Sequence, residues 1–302
     1  MLFQTENLTV TAYLADGRRK VVAGLSLAAD KGEKLAIVGE SGCGKTMTAL
    51  AVAGLLPRNC TATGKVTLDG KELTALSERK LNALRGKEIC LIPQSGAEFL
   101  NPSLRISTQL YETLKKQGAK RGDRRREACA RLRRAGLAEG EDILSRYPFE
   151  LSGGQAQRVT LAAACSEDVR LLIADEPTKG IDAATAAEFL DELDALFPSA
   201  AVIVITHDIS VAERADKIAV MLDGEAVECG GASDVLSSPR HTYTRALIAA
   251  LPKNGLHADR ELRPEAAGGC PYFSRCPLAE EVCREHQPLR AVADREVRCC
   301  KC

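Results

Sequence analysis

The sequence carries no excess of charge of either sign: 41 Lys and Arg stand against 41 Asp and Glu. A protein that grips nucleic acid over its whole surface would show a basic surplus, so that class is set aside, although a local patch is not. No apolar run approaches the ~20 residues that cross a bilayer as a helix. Nor does Met1 to Val10 show a basic start followed by an apolar stretch, so no secretory leader is read there and a soluble, cytoplasmic chain is the expectation. There is no internal repeat and no sustained heptad pattern. What remains is ordinary globular material: 302 residues, 45% apolar and 27% charged. That is enough for one large domain or two modest ones, with a core that needs no cross-link.

Cysteine breaks this ordinary picture. Of twelve, six crowd into the last 33 residues: Cys270, Cys276, Cys283, Cys299, Cys300 and Cys302. A reducing compartment does not keep structural disulfides, so this group reads as a metal or iron–sulfur site rather than a disulfide framework.

Short apolar strands are expected at Lys34 to Val38, Gly64 to Leu68, Glu88 to Ile92, Leu171 to Ala174, Ala201 to Ile205 and Lys217 to Leu222, with helices from Lys45 toward Leu55 and over Ala183 to Leu196. Strands alternating with helices predict a parallel sheet covered on both faces. From about Ser95 to Ser166 the apolar spacing becomes helical, with Leu110, Leu114, Leu132 and Leu137 among many charges, and this stretch reads as a helical insertion. Within it, Lys115 to Arg134 holds ten basic residues against two acidic ones. A solvated helix face explains such a run, and no aromatic residue is interleaved for base stacking; a nucleic-acid or anionic-lipid contact is the rival reading. After about Pro252 the periodicity fades into a tail rich in Cys, Arg, Glu, Gly and Pro, read as irregular.

Three motifs carry chemistry. Gly39-Glu40-Ser41-Gly42-Cys43-Gly44-Lys45-Thr46 fits the phosphate-loop pattern between an expected strand and an expected helix. Glycines let the backbone wrap around phosphates, and the helix start adds partial positive charge. Lys45 is expected on the β- and γ-phosphates and the Thr46 hydroxyl on Mg²⁺; Cys43 is either a passive small residue or a point of oxidative inactivation. Leu171 to Glu176 is an apolar strand ending in two acids, and the carboxyl edge of a parallel sheet is where ligands sit. There Asp175 would hold Mg²⁺ and Glu176 would orient and deprotonate an attacking water. The third is Leu151-Ser152-Gly153-Gly154-Gln155, shortly before that strand.

With LSGGQ in that position, the chain from Leu8 to Leu251 resembles the ATP-binding subunit of an ATP-binding cassette (ABC) transporter. The resemblance implies an α/β fold: a P-loop ABC nucleotide-binding domain with a RecA-like parallel sheet core, an antiparallel β subdomain and a helical subdomain, followed by an irregular Cys-rich tail. The domains expected are 1–252, with its helical part at about 95–166, and 253–302. In that family two cassettes dimerise head to tail, so Ser152, Gly153, Gly154 and Gln155 would close over ATP held by a partner's phosphate loop. By the same resemblance Gln94 couples Mg²⁺ and water to the helical part, Asp182 belongs to the dimer-contact loop, His207 touches the γ-phosphate, and Tyr13, next to Ala12 at the usual aromatic place, is the candidate for stacking on adenine.

Two segments narrow the branch. Ser238 to Leu247 is similar to the "P-x-H-P-Y-T-x-A-L-L" segment of oligopeptide, dipeptide and nickel importers, with Thr242 in place of proline, and Phe99 to Pro102 resembles their "S-L-N-P". Gly269 to Pro277 is similar to their "G-C-x-F-x-x-R-C-P". In that family four cysteines hold a four-iron four-sulfur cluster, which here would be Cys270, Cys276, Cys283 and a fourth from Cys299, Cys300 and Cys302, of which Cys299 in Val297-Arg298-Cys299 best matches; tetrahedral zinc and free thiols are the other readings. Pro177-Thr178-Lys179-Gly180-Ile181-Asp182 departs from the branch's "P-T-T-A-L-D" but keeps the Asp. The resemblance implies an ATPase using ATP and Mg²⁺, peripheral on the inner face of the cell membrane. It would work with two permease subunits, a second cassette (a related subunit, with a copy of itself as the alternative), an external substrate-binding protein and no nucleic acid. The alternatives are a soluble ABC ATPase on DNA or ribosomes, an exporter subunit and a redox-sensing cassette.

Overall fold

The computed structural model describes residues 1–94, 96–251 and 268–302, so Ser95 and the expected boundary at 252/253 lie outside the described residues. The chain runs β1 (Phe3–Leu14), β2 (Gly17–Ala29), β3 (Lys34–Gly39), α1 (Lys45–Ala53), β4 (Cys60–Leu68), β5 (Lys71–Glu72), α2 (Glu78–Leu84) and β6 (Ile89–Ile92). Five helices follow: α3 (Gly96–Phe99), α4 (Ile106–Lys116), α5 (Arg124–Arg134), α6 (Gly140–Ser145) and α7 (Gly153–Ala164). Then come β7 (Leu171–Asp175), α8 (Ala183–Leu196), β8 (Ala201–Thr206), α9 (Ile209–Ala212), β9 (Lys217–Leu222), β10 (Glu225–Gly231), α10 (Ala232–Ser237), α11 (Thr242–Ala249), β11 (Arg290–Val292) and β12 (Arg295–Val297). They divide into two compact units, residues 4–29, 33–66 and 205–302 in one and residues 1–3, 30–32 and 67–204 in the other. Among the described residues no helix is long and apolar enough to cross a membrane.

In the first unit β3 pairs in parallel with β9, Val38 opposite Val220. Both strands are buried along nearly their whole length, as expected where helices cover both faces of a sheet. β1 belongs to a separate antiparallel arrangement and shows half-buried alternation. Its buried positions change from odd (Phe3, Thr5) to even (Leu8, Val10, Ala12) across Asn7, a left-handed residue with φ 50° that re-aims the strand.

The C-terminal tail differs from expectation here. It is not wholly irregular: β12 pairs antiparallel with β10, Cys229 opposite Glu296, and β11 adds a further antiparallel strand to β12. Three-residue strands with Arg at their ends leave no readable alternation, so tertiary pairing alone makes them strands. Two buried arginines fasten the hairpin. Arg298 donates to the carbonyls of Ala226 (2.9 Å) and Gln287 (2.7 Å). Arg295 donates to the carbonyls of Asp234 and Ser238 and to Glu228, whose fully buried carboxylate also accepts the Arg240 and His241 N–H groups at 2.9 Å. The first unit's core includes Ala36, Val38, Val220, Val227 and Tyr243 together with Tyr272 of the tail.

The second unit pairs β6 with β7 in parallel, Ile92 opposite Ala174. The helical insertion holds α3 to α7, and the four leucines expected to face inward are buried. The basic run covers the end of α4 and all of α5. Arg125 pairs with Glu141 and Arg126 with Asp123 on solvated faces, while Arg131 is buried and pairs with Glu127, so part of the charge is locally matched.

Candidate functional site

The segment between β3 and α1 forms a tight loop whose glycines are dictated by backbone approach. A Cβ on Gly39 would stand 2.1 Å from the Met221 carbonyl oxygen, and one on Gly44 (φ +100°) would stand 2.3 Å from that of Val21. Gly44 is also the N-cap of α1, a nine-residue helix with no side-chain cap, so its first N–H groups are left for a ligand. Lys45 is buried, and its Nζ donates to the Gly39 and Glu40 carbonyls at 2.8 Å each, which centres the ammonium in the loop. Ser41 and Gly42 are exposed on the loop, and Thr46 is exposed in the first turn of α1. Cys43 is buried, and burial raises its thiol pKa above the ordinary value despite the nearby Lys45, so the passive reading of that residue gains over the oxidation reading. The same unit holds His207, exposed just after β8, and Tyr13. Tyr13 is half exposed at the end of β1, its N–H bonded to the Asn59 carbonyl, while the neighbouring Ala12 takes the buried position.

The second unit carries the remaining expected residues. Asp175 ends β7 and is buried. Glu176 follows in the left-handed region, φ 49°. A non-glycine side chain there is uncommon and strained, and such outliers cluster at functional positions. The turn is fixed by a Lys179 N–H bond to the Glu176 carbonyl and by the Gln157 side-chain amide on the Pro177 carbonyl. Ser152 caps α7: its Oγ accepts the Gln155 N–H (3.2 Å) while Gln155 Oε1 accepts the Ser152 N–H (3.1 Å). The Gln155 side chain therefore completes a cap, and Gly153 and the Ser152 hydroxyl form the exposed face at the helix start. Asp182 caps α8, accepting the N–H groups of Ala184 and Thr185 at 3.1 Å and the Thr185 hydroxyl at 2.7 Å. That hydroxyl, first, and the N–H groups hold its carboxyl below the usual carboxylate range. Gly154 approaches Thr185 and Ile181, so the signature segment and the Asp182 loop are neighbours. Gln94 is exposed beyond the end of β6.

The cysteines of the tail converge less than expected. Cys270, Cys276, Cys283, Cys299 and Cys300 line one cavity with Tyr272. Cys283 and Cys300 bring their sulfurs to 3.5 Å. Yet among the described residues no three His, Cys, Asp or Glu side chains are gathered closely enough to hold a metal ion, which corrects the expectation of a formed ligand set at Cys270, Cys276, Cys283 and Cys299. The sulfurs are engaged elsewhere: Cys283 meets Cys300, and Cys299 accepts the Lys301 N–H at 3.4 Å. Nearby, buried His241 is pushed down to about 4 by desolvation, and its neutral Nδ1 accepts the Tyr243 N–H to cap α11. The residues that local sequence reading missed are Glu40, Tyr243 and Arg275, which meet at the phosphate loop. Arg275 lies inside the quoted Gly269 to Pro277 segment, but nothing local pairs it with Glu40.

The family model for ABC transporters matches residues 22–179, and that for the oligopeptide/dipeptide transporter C-terminal region matches residues 227–283. The oligopeptide transport ATP-binding protein OppD of Salmonella typhimurium is 37% identical over 99% of this chain and 93% of its own length. The dipeptide transport ATP-binding protein DppD of Bacillus subtilis is 35% identical over 96% of this chain and 91% of its own. Among solved structures, a dimeric ATP-binding cassette in a post-hydrolysis state with ADP and phosphate superposes with a TM-score of 0.68 at 28% identity, over 76% of this chain and 98% of that one.

Proposed function

The chain belongs to the ABC transporter family, as an ATP-binding and ATP-hydrolysing subunit, and from that premise we propose that it energises a peptide importer at the inner face of the cell membrane. The observation that carries the import branch is the conjunction of a phosphate loop with the oligopeptide/dipeptide C-terminal region in one compact unit, sharing the core around Tyr243 and Tyr272. The relatives reported above are named for peptides, so peptides rather than nickel are the proposed cargo class. The cassette would act with two permease subunits, a substrate-binding protein and a second cassette. A related subunit is the proposed partner cassette, and the main body would be 1–252 with a 253–302 extension.

The residues divide the work as follows. Loop N–H groups and Lys45 bind the phosphates, and the Gly39 and Gly44 backbone approaches keep the loop closed enough to do so. Thr46, Gln94 and Asp175 supply the hard oxygen donors that suit Mg²⁺, which when bound neutralises phosphate charge. Glu176, in the left-handed turn after β7, takes a proton from the attacking water; His207 steadies the γ-phosphate. Ser152, Gly153 and Gly154 present a helix start to nucleotide bound by the partner cassette, Gln155 by capping that helix, and Asp182 shapes the neighbouring dimer loop. Tyr13 offers an exposed ring for adenine.

Five cysteines line the tail cavity beside His241, Tyr272 and Lys301, and the proposed four-iron four-sulfur cluster would draw together Cys270, Cys276, Cys283 and Cys299, with Cys300 a rival for the fourth place; the first three lack the short C-x₂₋₄-C pairing usual for zinc. Such a cluster would supply cross-linking here. Anaerobic purification with iron, sulfide and zinc analysis tests it: about four irons and four sulfides per chain is the expected result, and one zinc without iron refutes it. For the transport reading, a strain lacking this chain should lose uptake of a labelled small peptide and regain it with the parent but not with Glu176→Gln. Undiminished uptake without the chain would overturn the proposal.

A further inference from the structure

Glu40, the second residue of the phosphate loop, is gripped by the cysteine-rich segment. Its N–H donates to the Tyr243 hydroxyl at 3.0 Å. Its carboxylate accepts both arms of the Arg275 guanidinium, Nη1 to Oε1 at 2.6 Å and Nη2 to Oε2 at 3.2 Å. That guanidinium lies over the rings of Tyr272 (5.2 Å) and Tyr243 (5.9 Å), which pack tilted against each other at 5.5 Å and are both buried. The backbone around Arg275 is itself tied down: the Phe273 N–H bonds to the Cys270 carbonyl, and the Arg275 and Cys276 N–H groups to that of Tyr272. On its other side, the Glu40 carbonyl accepts the Lys45 ammonium. One residue thus joins the tail to the lysine that meets phosphate.

We propose that Arg275 is a positioning residue for ATP binding: it neutralises the Glu40 carboxylate and, with Tyr243, fixes the loop backbone from which Lys45 is hung. A bidentate charge-assisted pair is directional, and stacking on two rings limits the swing of the guanidinium. Without Arg275 an unmatched carboxylate would stand in the loop that receives a triphosphate, and like charge disfavours anion binding. The inference rests on residues 39–46 as the ATP loop but on no metal in the cavity.

The test uses the full chain, with affinity for a fluorescent ATP analogue and KM and kcat for ATP measured at low and high salt. Arg275→Gln should raise KM about fivefold, equivalent to about 1 kcal/mol, with kcat reduced by less than about twofold and the defect shrinking as salt screens the carboxylate. Adding Glu40→Gln to Arg275→Gln should recover much of the lost affinity, which a merely structural role for Arg275 would not allow. Tyr243→Phe deletes one oxygen and keeps the ring, so it carries the test if Arg275→Gln does not fold; its KM should rise about two- to threefold. Parental KM in both Arg275→Gln and Tyr243→Phe, or a double variant that compounds the loss, overturns the proposal. Iron and zinc are measured alongside: a KM rise at parental metal content supports it, and a rise confined to preparations that have lost metal overturns it. If the parent holds no metal the cluster reading fails and these comparisons still stand; if the parent binds no ATP, the loop reading itself has failed.

Discussion

Glu176 is where geometry and chemistry can be separated. Its φ of 49° places a glutamate in a region that costs a side-chain-bearing residue roughly 1–2 kcal/mol. Glycine would remove that strain, but it raises the entropy of the unfolded chain by roughly 0.5–1 kcal/mol. Glu176→Gly is therefore expected to unfold within about 1 kcal/mol of the parent, while hydrolysis falls by about 10²–10⁴, the usual worth of a general base. Glu176→Gln should show the same loss of turnover with the backbone strain retained, and both should still bind ATP. Urea unfolding reads the first quantity, phosphate release the second and a fluorescent ATP analogue the third. Turnover near the parental rate in either variant would refute the role of base. Loss of more than about 2 kcal/mol in Glu176→Gly would refute the strain argument, because the side chain would then be holding the turn.

Lys45→Ala should bind ATP about 10- to 100-fold more weakly, the loss expected from removing charge-assisted hydrogen bonds to phosphate; unchanged affinity by titration would show that the ammonium at 2.8 Å from the Gly39 and Glu40 carbonyls does not serve the nucleotide. Glu228→Ala should lower stability by about 2–4 kcal/mol, since it strips the Arg240 and His241 N–H groups of their acceptor and leaves Arg295 with Asp294 as its ion partner. A shift in urea midpoint equivalent to less than about 1 kcal/mol would mean the tail hairpin is held by other contacts.

Much of this was legible because it is local. β3, β7, β8 and β9 are short, almost wholly buried apolar runs, and such runs announce themselves. The phosphate loop was readable for a related reason: eight consecutive residues carry both the conformational demand and the charge, and the glycines sit where a Cβ would strike Met221 and Val21. The resemblance implied an antiparallel β subdomain, but periodicity did not locate β1 and β2. They are half-solvated, and the alternation of β1 is broken at Asn7 by a residue whose left-handed conformation no neighbour in sequence requires. β11 and β12 were illegible for a different reason, β12 being a strand by virtue of β10 beside it and β11 by virtue of β12. The contact of Arg275 with Glu40 spans 235 positions and lies over two packed tyrosine rings. No window along the chain contains that information.

The tail illustrates what this dependence does. A segment of this size buries too little surface to stand alone, and it does not try to. Tyr272 enters the core shared by Val38 and Val220, Arg295 enters against Glu228, and β12 completes pairing that β10 would otherwise offer to solvent. Val38 is followed directly by Gly39, where the phosphate loop begins. A disturbance that loosens the cysteine cavity therefore acts on Tyr272, and through it on the same packed side chains that set the exit of β3. Arg275, between Tyr272 and Cys276, is the polar half of that connection and the shared core is its apolar half. Mutations in the two halves should consequently be non-additive in their effect on ATP affinity, as expected for residues that share partners.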